Sequence, residues 1–470
     1  MKLSYFFIIP AIYLMFPIYG CSKEADIPGD TPDNPNFVRE TAAPVNGLRI
    51  AWDRSTRQKI STVPGYNGYP RVKRLHDHSI GAIYESPGCG VFQRSTDGGS
   101  TWSSPVKVFT QQTVSNANGS TTVNISNTEF LQLDDGSIIA GCNYRPATDG
   151  ITPYAIVVSR STDLGATWST PQVIYGSQSN FENGCWEPSF LQLPDGTVHC
   201  YFANENPYTG SSEQEISLLT STDRGKTFSA DKKMVCFRKK HRDGMPVPVI
   251  SNDSILVAIE DNGRGNFSPA IVRTAIPDNW STPVYSSSPY RNYCLTDQNT
   301  NCYGGAPYII KVPSGEIVLS YQTTYNRTSD WELSDMEVAI GDSVGRSFGR
   351  LSRPFDVDTT QQCKWNSLGM IDDHTIVASG CSNLDGQDLA AWMIYGHLIN
   401  DLKIPYKAVT FDGSVTADEY GGYFPFFVGK RNSSNLKAAL AVNNGNLYAG
   451  IKVNDVLSYV NSSDDSKSDG

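Results

Sequence analysis

Histidine is scarce in this chain and basic charge is in deficit, and the two shortages narrow the chemistry. The six histidines show no HExxH or comparable ligand spacing, so neither a catalytic metal nor a cofactor is expected. Lys and Arg number 38 against 48 acidic residues, giving a net charge of −10 and a pI near 5.2. Nucleic acid, whose phosphates require a basic footprint, is excluded as a partner. Clear amphipathic helices are also lacking. In their place stand 40 Gly, 27 Pro and an aromatic share of 11%, a profile of many short strands joined by turns and therefore of an all-β chain. At 470 residues it is long for an ordinary domain, but within reach of a barrel or propeller with a large core.

The ends differ from the body. Residues 1–21 combine Lys2, an apolar run and the sequence IYGC, which reads as a secretory signal. The IYGC segment resembles a bacterial lipobox, which implies lipidation at Cys21, export to the cell envelope and membrane attachment through that lipid alone. Residues 22–45 are acidic and Pro-rich, as in an unfolded tether, and 459–470 read as a disordered tail. Residues 46–458 then form the folded domain. Of the ten cysteines, nine lie beyond Cys21; Cys294 with Cys302 and Cys363 with Cys381 are candidate disulfides, and buried free thiols are the alternative.

The body repeats with a period of roughly sixty residues, each repeat an apolar strand, a turn and a second strand. The turns are HDHS (76–79), DDGS (134–137), PDGT (194–197), SNDS (251–254), PSGE (313–316) and DDHT (372–375). Downstream come STDGGSTW (95–102), STDLGATW (161–168), STDRGKTF (221–228) and a decayed GDSVGRSF (341–348). This second motif resembles the Asp-box of sialidase-like β-propellers. Physically it is a turn device, with Asp and Ser/Thr bonding local backbone and Gly taking a strained dihedral; Asp97, Asp163 and Asp223 are therefore structural. Each repeat is one four-stranded blade. The resemblance implies six blades. The count permits seven, because the segment 423–453 keeps the period and Leu48–Trp52 is available to complete it.

Antiparallel pairing sets the start of each hairpin's first strand beside the end of its second, on one face of the propeller. Ten residues back from each turn end stand Tyr69, Asn127, Glu187, Gly244, Ala306 and Trp365, and six forward stand Glu85, Asn143, Ala203, Glu260, Gln322 and Cys381. Glu187 and Glu260 thus reach one height from neighbouring blades. Two converging carboxylates are what glycoside hydrolysis requires, one as acid/base and one as nucleophile or water activator.

The segments NGYPRVKRL (67–75), GCWEPSFLQLPDGT (184–197), RDGMPVPV (242–249), AIED (258–261) and GGAPYIIKV (304–312) are similar to those of the exo-1,5-α-L-arabinanase family, glycoside hydrolase family 93. The resemblance implies a retaining exo-hydrolase that releases α-L-arabinofuranosyl units from an oligo- or polysaccharide, with Glu187 and Glu260 catalytic; which is the nucleophile stays open. Arg71, Tyr69, Trp186, Arg242, Asp243 and Trp365 are the expected substrate contacts. Two alternatives stand beside it: an exo-α-sialidase, if Arg71, Arg145, Arg242 and Arg264 converge on a carboxylate, and a non-catalytic glycan-binding surface propeller.

Overall fold

The computed structural model describes residues 47–295 and 302–400, together with the backbone of strands Phe424–Pro425, Lys437–Asn443, Asn446–Val453 and Val456–Asn461. The signal, Cys21 and the tether lie outside the described residues. The boundary expected at 458 instead falls inside the strand Val456–Asn461.

Six antiparallel sheets form the blades of a propeller, each four-stranded, with the second extended by a fifth strand, Gln112–Asn116. Their innermost strands are Gly68–Arg74, Gly119–Gln132, Cys185–Gln192, Asp243–Ser251, Gly304–Lys311 and Cys363–Asp372. The second strands, such as Ile80–Ser86 and Ile317–Thr323, are buried at every position, because each blade is covered on both faces by its neighbours. The turns behave as their residues dictate: Asp135 Oδ1 accepts from the Ser137 N–H at 3.0 Å and from its hydroxyl at 2.6 Å, while Gly136 takes a φ of 82°.

The Asp-boxes lie between the third and fourth strands, on the rim away from the site. Ser95 Oγ donates to Asp97 Oδ1 at 2.8 Å and accepts from the Gly99 N–H at 2.7 Å. Asp97 accepts from the Thr101 hydroxyl at 2.6 Å and N–H at 2.8 Å, which holds its carboxyl down at about 2. The boxes at Asp163 and Asp223 repeat the pattern. The box glycine is also a packing device: a β-carbon on Gly165 would lie 2.2 Å from the Phe92 ring of the preceding blade.

The ring closes after six blades. Ser367 Oγ donates to Pro70 O at 3.0 Å across the seam between the sixth blade and the first, and a β-carbon at Gly369 would meet Val72 O at 2.4 Å. Blade six takes its outer strand from the other end of the chain, Leu48–Lys59 pairing with Ala390–Asn400 and Trp52 standing opposite Gly396. This corrects the seven-blade count. The sixth repeat contributes three strands, and Leu48–Trp52 fills its empty edge instead of completing a seventh blade. The strands from 424 to 461 form a separate four-stranded sheet.

All nine cysteines after Cys21 are free thiols. Cys363 stands opposite Ser382 and Cys381 opposite Lys364, so the two side chains point to opposite faces of the hairpin and cannot bridge.

Candidate active site

Every innermost strand carries a bulge at the same height, and in each bulge one residue that is not glycine turns left-handed. These are Tyr69 (φ 53°), Asn127 (56°), Glu187 (59°), Met245 (50°), Ala306 (48°) and Trp365 (54°). Such a conformation costs about 1–2 kcal/mol per residue, and such strain concentrates where a fold builds a site. Five of the six positions are those the turn register predicts. In blade four the residue is Met245, not Gly244, because Ser251 pairs directly with Ser254 and the hairpin is one residue shorter; blade six has an equally direct pair, Asp372 with Thr375, but an irregularity between Met370 and Asp372 restores the count there.

The bulge leaves a backbone N–H free of the strand ladder, and in four blades a side chain of the preceding blade takes it up. Asn127 N donates to Glu85 Oε1 at 2.5 Å, Met245 N to Glu187 Oε2 at 3.0 Å, Ala306 N to Glu260 Oε2 at 3.0 Å and Trp365 N to Gln322 Oε1 at 2.8 Å. Glu187 and Glu260 are therefore clasps between blades as well as carboxylates on a cavity. Asn143, at the corresponding place in blade two, has a shorter side chain, and neither of its buried amide atoms finds a partner.

Glu187 and Glu260 line one cavity of about 390 Å³ at the mouth of the central channel. Both lean on the same strand. Glu187 is bonded to Met245 N, and Glu260 packs so closely on Gly244 that a β-carbon there would lie 2.9 Å from its Oε1 and 2.9 Å from Gln214 Oε1. From the other side a β-carbon at Gly305 would lie 2.8 Å from Glu260 Oε2. If Glu260 takes part in a reaction, Gly244→Ala is accordingly expected to lower kcat/KM by about a hundredfold, since displacing a reacting group by about 1 Å costs that much. Unchanged kcat/KM in a folded variant would refute this packing role.

Burial, then the neighbouring Glu260 charge, pushes the Glu187 carboxyl up to about 8 against the pull of the Met245 N–H. Burial raises Glu260 to about 7, with the Ala306 N–H pulling the other way. At neutral pH the two carboxyls thus hold about one proton between them.

Of the expected substrate contacts, Tyr69, Trp186, Arg242 and Trp365 do line the cavity. Arg242 is not free, because its guanidinium pairs with Glu205, whose same oxygen accepts from Trp186 Nε1 at 3.1 Å and Gln214 Nε2 at 2.9 Å. Two of the expected contacts are elsewhere. Arg71 points down the channel beneath the cavity, bonded to Glu129 Oε2 at 3.1 Å and to the carbonyls of Trp365 and Asn366 at 3.1 and 3.2 Å; it braces blades one, two and six. The bulge at Tyr69 causes this, since its extra residue separates Tyr69 at the mouth from Arg71 below. Asp243 is wholly buried and forked onto Arg291 at 2.5 and 2.9 Å. Arg291 also holds Asp261, which Arg238 grips at 3.0 Å and the Tyr293 hydroxyl at 3.0 Å. Arg264 stacks on Tyr293 at 3.8 Å. Of the four arginines considered for a sialidase, Arg145 and Arg242 reach the cavity.

The structure adds Glu85, Tyr66, Phe181, Glu205 and Gln214 to the wall. Glu85 was legible in principle, for it occupies the register position of Glu260; burial raises it to about 7. Tyr66, Phe181 and Gln214 precede or follow strands and carry no periodic signal.

Residues 82–236 and 148–290 match the BNR repeat-like domain family. A sialidase of Micromonospora viridifaciens is 34% identical over a stretch covering 20% of this chain and 17% of that protein, so the chain spans about a sixth of the relative. Among solved structures, a Fusarium graminearum α-L-arabinofuranosidase superposes with a TM-score of 0.56 at 16% identity, over 74% of this chain and 98% of that one. A Penicillium chrysogenum α-L-arabinanase, solved with arabinobiose, gives 0.54 at 18% identity, over 74% and 99%. A Dyadobacter fermentans protein of unknown function gives 0.57 at 16%, over 76% and 100%. At these identities the likeness establishes the fold alone, a six-bladed β-propeller.

Proposed function

We propose that this propeller is an exo-acting, retaining glycoside hydrolase that releases α-L-arabinofuranosyl units from 1,5-arabinan. The observation that carries the proposal is the pairing of Glu187 with Glu260 on one cavity, both half-buried and both raised by burial. The arabinanase and arabinofuranosidase neighbours support the choice of sugar. The absence of a third arginine at the cavity among the described residues weighs against a sialate carboxylate as the anchor.

In the proposed reaction a terminal sugar enters the cavity. The protonated member of the pair donates its proton to the glycosidic oxygen as that bond breaks, and the ionised member attacks the anomeric carbon to give a glycosyl ester. A water, deprotonated by the first carboxylate, then cleaves the ester and restores both groups. The step needs one carboxyl protonated and one ionised. We therefore expect kcat/KM to be bell-shaped, falling below about 7 as the second group protonates and above about 8 as the first ionises. A profile flat across that window would remove the shared-proton mechanism.

Incubation with 1,5-arabinan and, separately, with sialyllactose tests the substrate. Released arabinose or arabinobiose supports the reading; released sialic acid overturns it, and no release from either removes the assignment of sugar. Export and anchoring through Cys21 belong to the same proposal, on the IYGC segment. Cys21→Ala is expected to shift the protein from the membrane pellet to the soluble fraction, and unchanged partitioning contradicts the anchor.

A further inference from the structure

Beyond Glu260 the mouth of the cavity continues as a run of aromatic rings. Tyr69 and Trp365 line the cavity itself with their ring centroids 6.1 Å apart. Trp331 follows at 6.2 Å from Trp365, and Tyr303 stands 6.1 Å from Trp331. Tyr303 ties this run back to the catalytic pair. A β-carbon at Gly305 would meet both the Tyr303 hydroxyl, at 2.2 Å, and Glu260 Oε2, at 2.8 Å, so hydroxyl and carboxylate flank one point.

Trp331 differs from the other rings in being open to solvent, with 43% of its surface exposed, and in lying outside the cavity wall. Its position is nevertheless fixed. It opens a short 3₁₀ turn, Trp331–Leu333, between the second and third strands of blade five, where Asp330 caps the Glu332 N–H at 3.0 Å and Ser334 Oγ bonds Trp331 O at 2.6 Å. Beneath it the buried Lys364 ammonium lies 4.7 Å from the Trp331 ring and 5.8 Å from the Trp365 ring, paired with Glu332. A large ring pinned from below and left bare above, one ring out from a sugar-sized cavity, is a preformed apolar plate rather than a stray surface side chain. Tyr66 and Phe181, the other exposed rings near the site, both line the cavity itself, and Phe181 has the Arg145 guanidinium 4.9 Å from its centroid.

We propose that Trp331, backed by Trp365 and Tyr303, is a binding shelf for the sugar residues on the leaving-group side of the scissile bond, so that the protein acts on neutral polysaccharide chains in preference to short glycosides. The inference rests on the hydrolase reading for its direction: with the terminal sugar in the cavity, the remainder of the chain leaves across blades five and six. The apolar C–H faces of furanose or pyranose rings stack on such a plate, while Glu332 is at hand for hydroxyls.

The test compares kcat/KM of wild type, Trp331→Ala and Trp331→Phe on methyl α-L-arabinofuranoside, which carries no ring on the leaving-group side, and on long linear arabino-oligosaccharides. Trp331→Ala is expected to lose about tenfold on the long chains, ~1.4 kcal/mol, chiefly through KM, and nothing on the methyl glycoside; Trp331→Phe should keep most of the long-chain rate. No loss on long chains, or an equal loss on both substrates, overturns the shelf. If the wild type turns over neither, the hydrolase reading fails on its own, and the shelf is then judged by retardation in gels containing arabinan, xylan or pectin. Retardation of the wild type that Trp331→Ala abolishes upholds it, and equal migration of the two proteins in every gel overturns it.

Discussion

Glu187→Gln and Glu260→Gln are each expected to lower kcat/KM by about 10³-fold, within the range that proton transfer by a positioned group contributes, and at the same time to make the protein more stable at pH 8. The first effect follows from chemistry, since an amide neither delivers a proton nor attacks an anomeric carbon. The second follows from linkage. Both carboxyls sit well above their ordinary value of 4.5 in the folded chain, so between that value and about 8 the folded state binds more protons than the unfolded one. Stability then falls as pH rises through the window. The loss is absent below about 4 and complete above about 8, and a tenfold change in proton affinity is worth ~1.4 kcal/mol. Gln carries no such loss. Melting curves of wild type and variants should therefore coincide near pH 4 and separate toward pH 8, with the variants higher. Full activity in either variant would displace that residue from the mechanism, and a variant melting below wild type at pH 8 would contradict the burial of its carboxylate.

The largest expected change in stability lies one layer away, at Arg291. Its guanidinium holds Asp243 by two bonds and Asp261 by a third, and all three side chains are buried. Arg291→Leu leaves Asp243 without a cation and Asp261 with Arg238 alone. Removing one partner of a buried ion pair typically costs about 3–5 kcal/mol, mostly because the remaining charge has nowhere to go. Denaturant melts at neutral pH should show a fall of that size. Adding Asp243→Asn to Arg291→Leu should recover part of it, because the stranded charge is gone. Activity should fall as well, for Asp243 precedes Gly244 and Asp261 follows Glu260. A fully stable Arg291→Leu protein would show that the network is not what holds this strand pair.

The sequence disclosed the parts of this molecule that repeat. The turn residues and Asp-boxes recur with one period, and aligning hairpins on their turns was enough to bring Glu187 level with Glu260 without any structure. Where the repeat is broken by one residue, the register lost its authority. The tighter turn after Ser251 moved the strained position from Gly244 to Met245, and the bulge after Gly68 sent Arg71 below the site. Asp243 misled for a related reason: its neighbours Arg242 and Gly244 both contact the site, but alternation turns the Asp243 side chain away, onto an arginine 48 residues later. The sequence offers Leu48–Trp52 to a seventh blade, whereas it completes the sixth, since strand pairing across the whole chain leaves no local mark. Side chains from connections, such as Gln214 and Trp331, have no repeat to betray them.

The clasps across the blades bear on how an inactive form of this protein ought to be made for trapping a ligand. In blade five the acceptor is Gln322, an amide that fills the role Glu187 and Glu260 fill in blades three and four. The architecture therefore already contains a specimen of the uncharged substitute. Exchanging either glutamate for glutamine keeps a carbonyl oxygen for the neighbour's N–H, whereas alanine unfastens two blades at the mouth of the cavity. A crystal of the alanine form would then report a widened pocket as well as a missing acid, and a ligand pose from it would describe a different vessel from the working one.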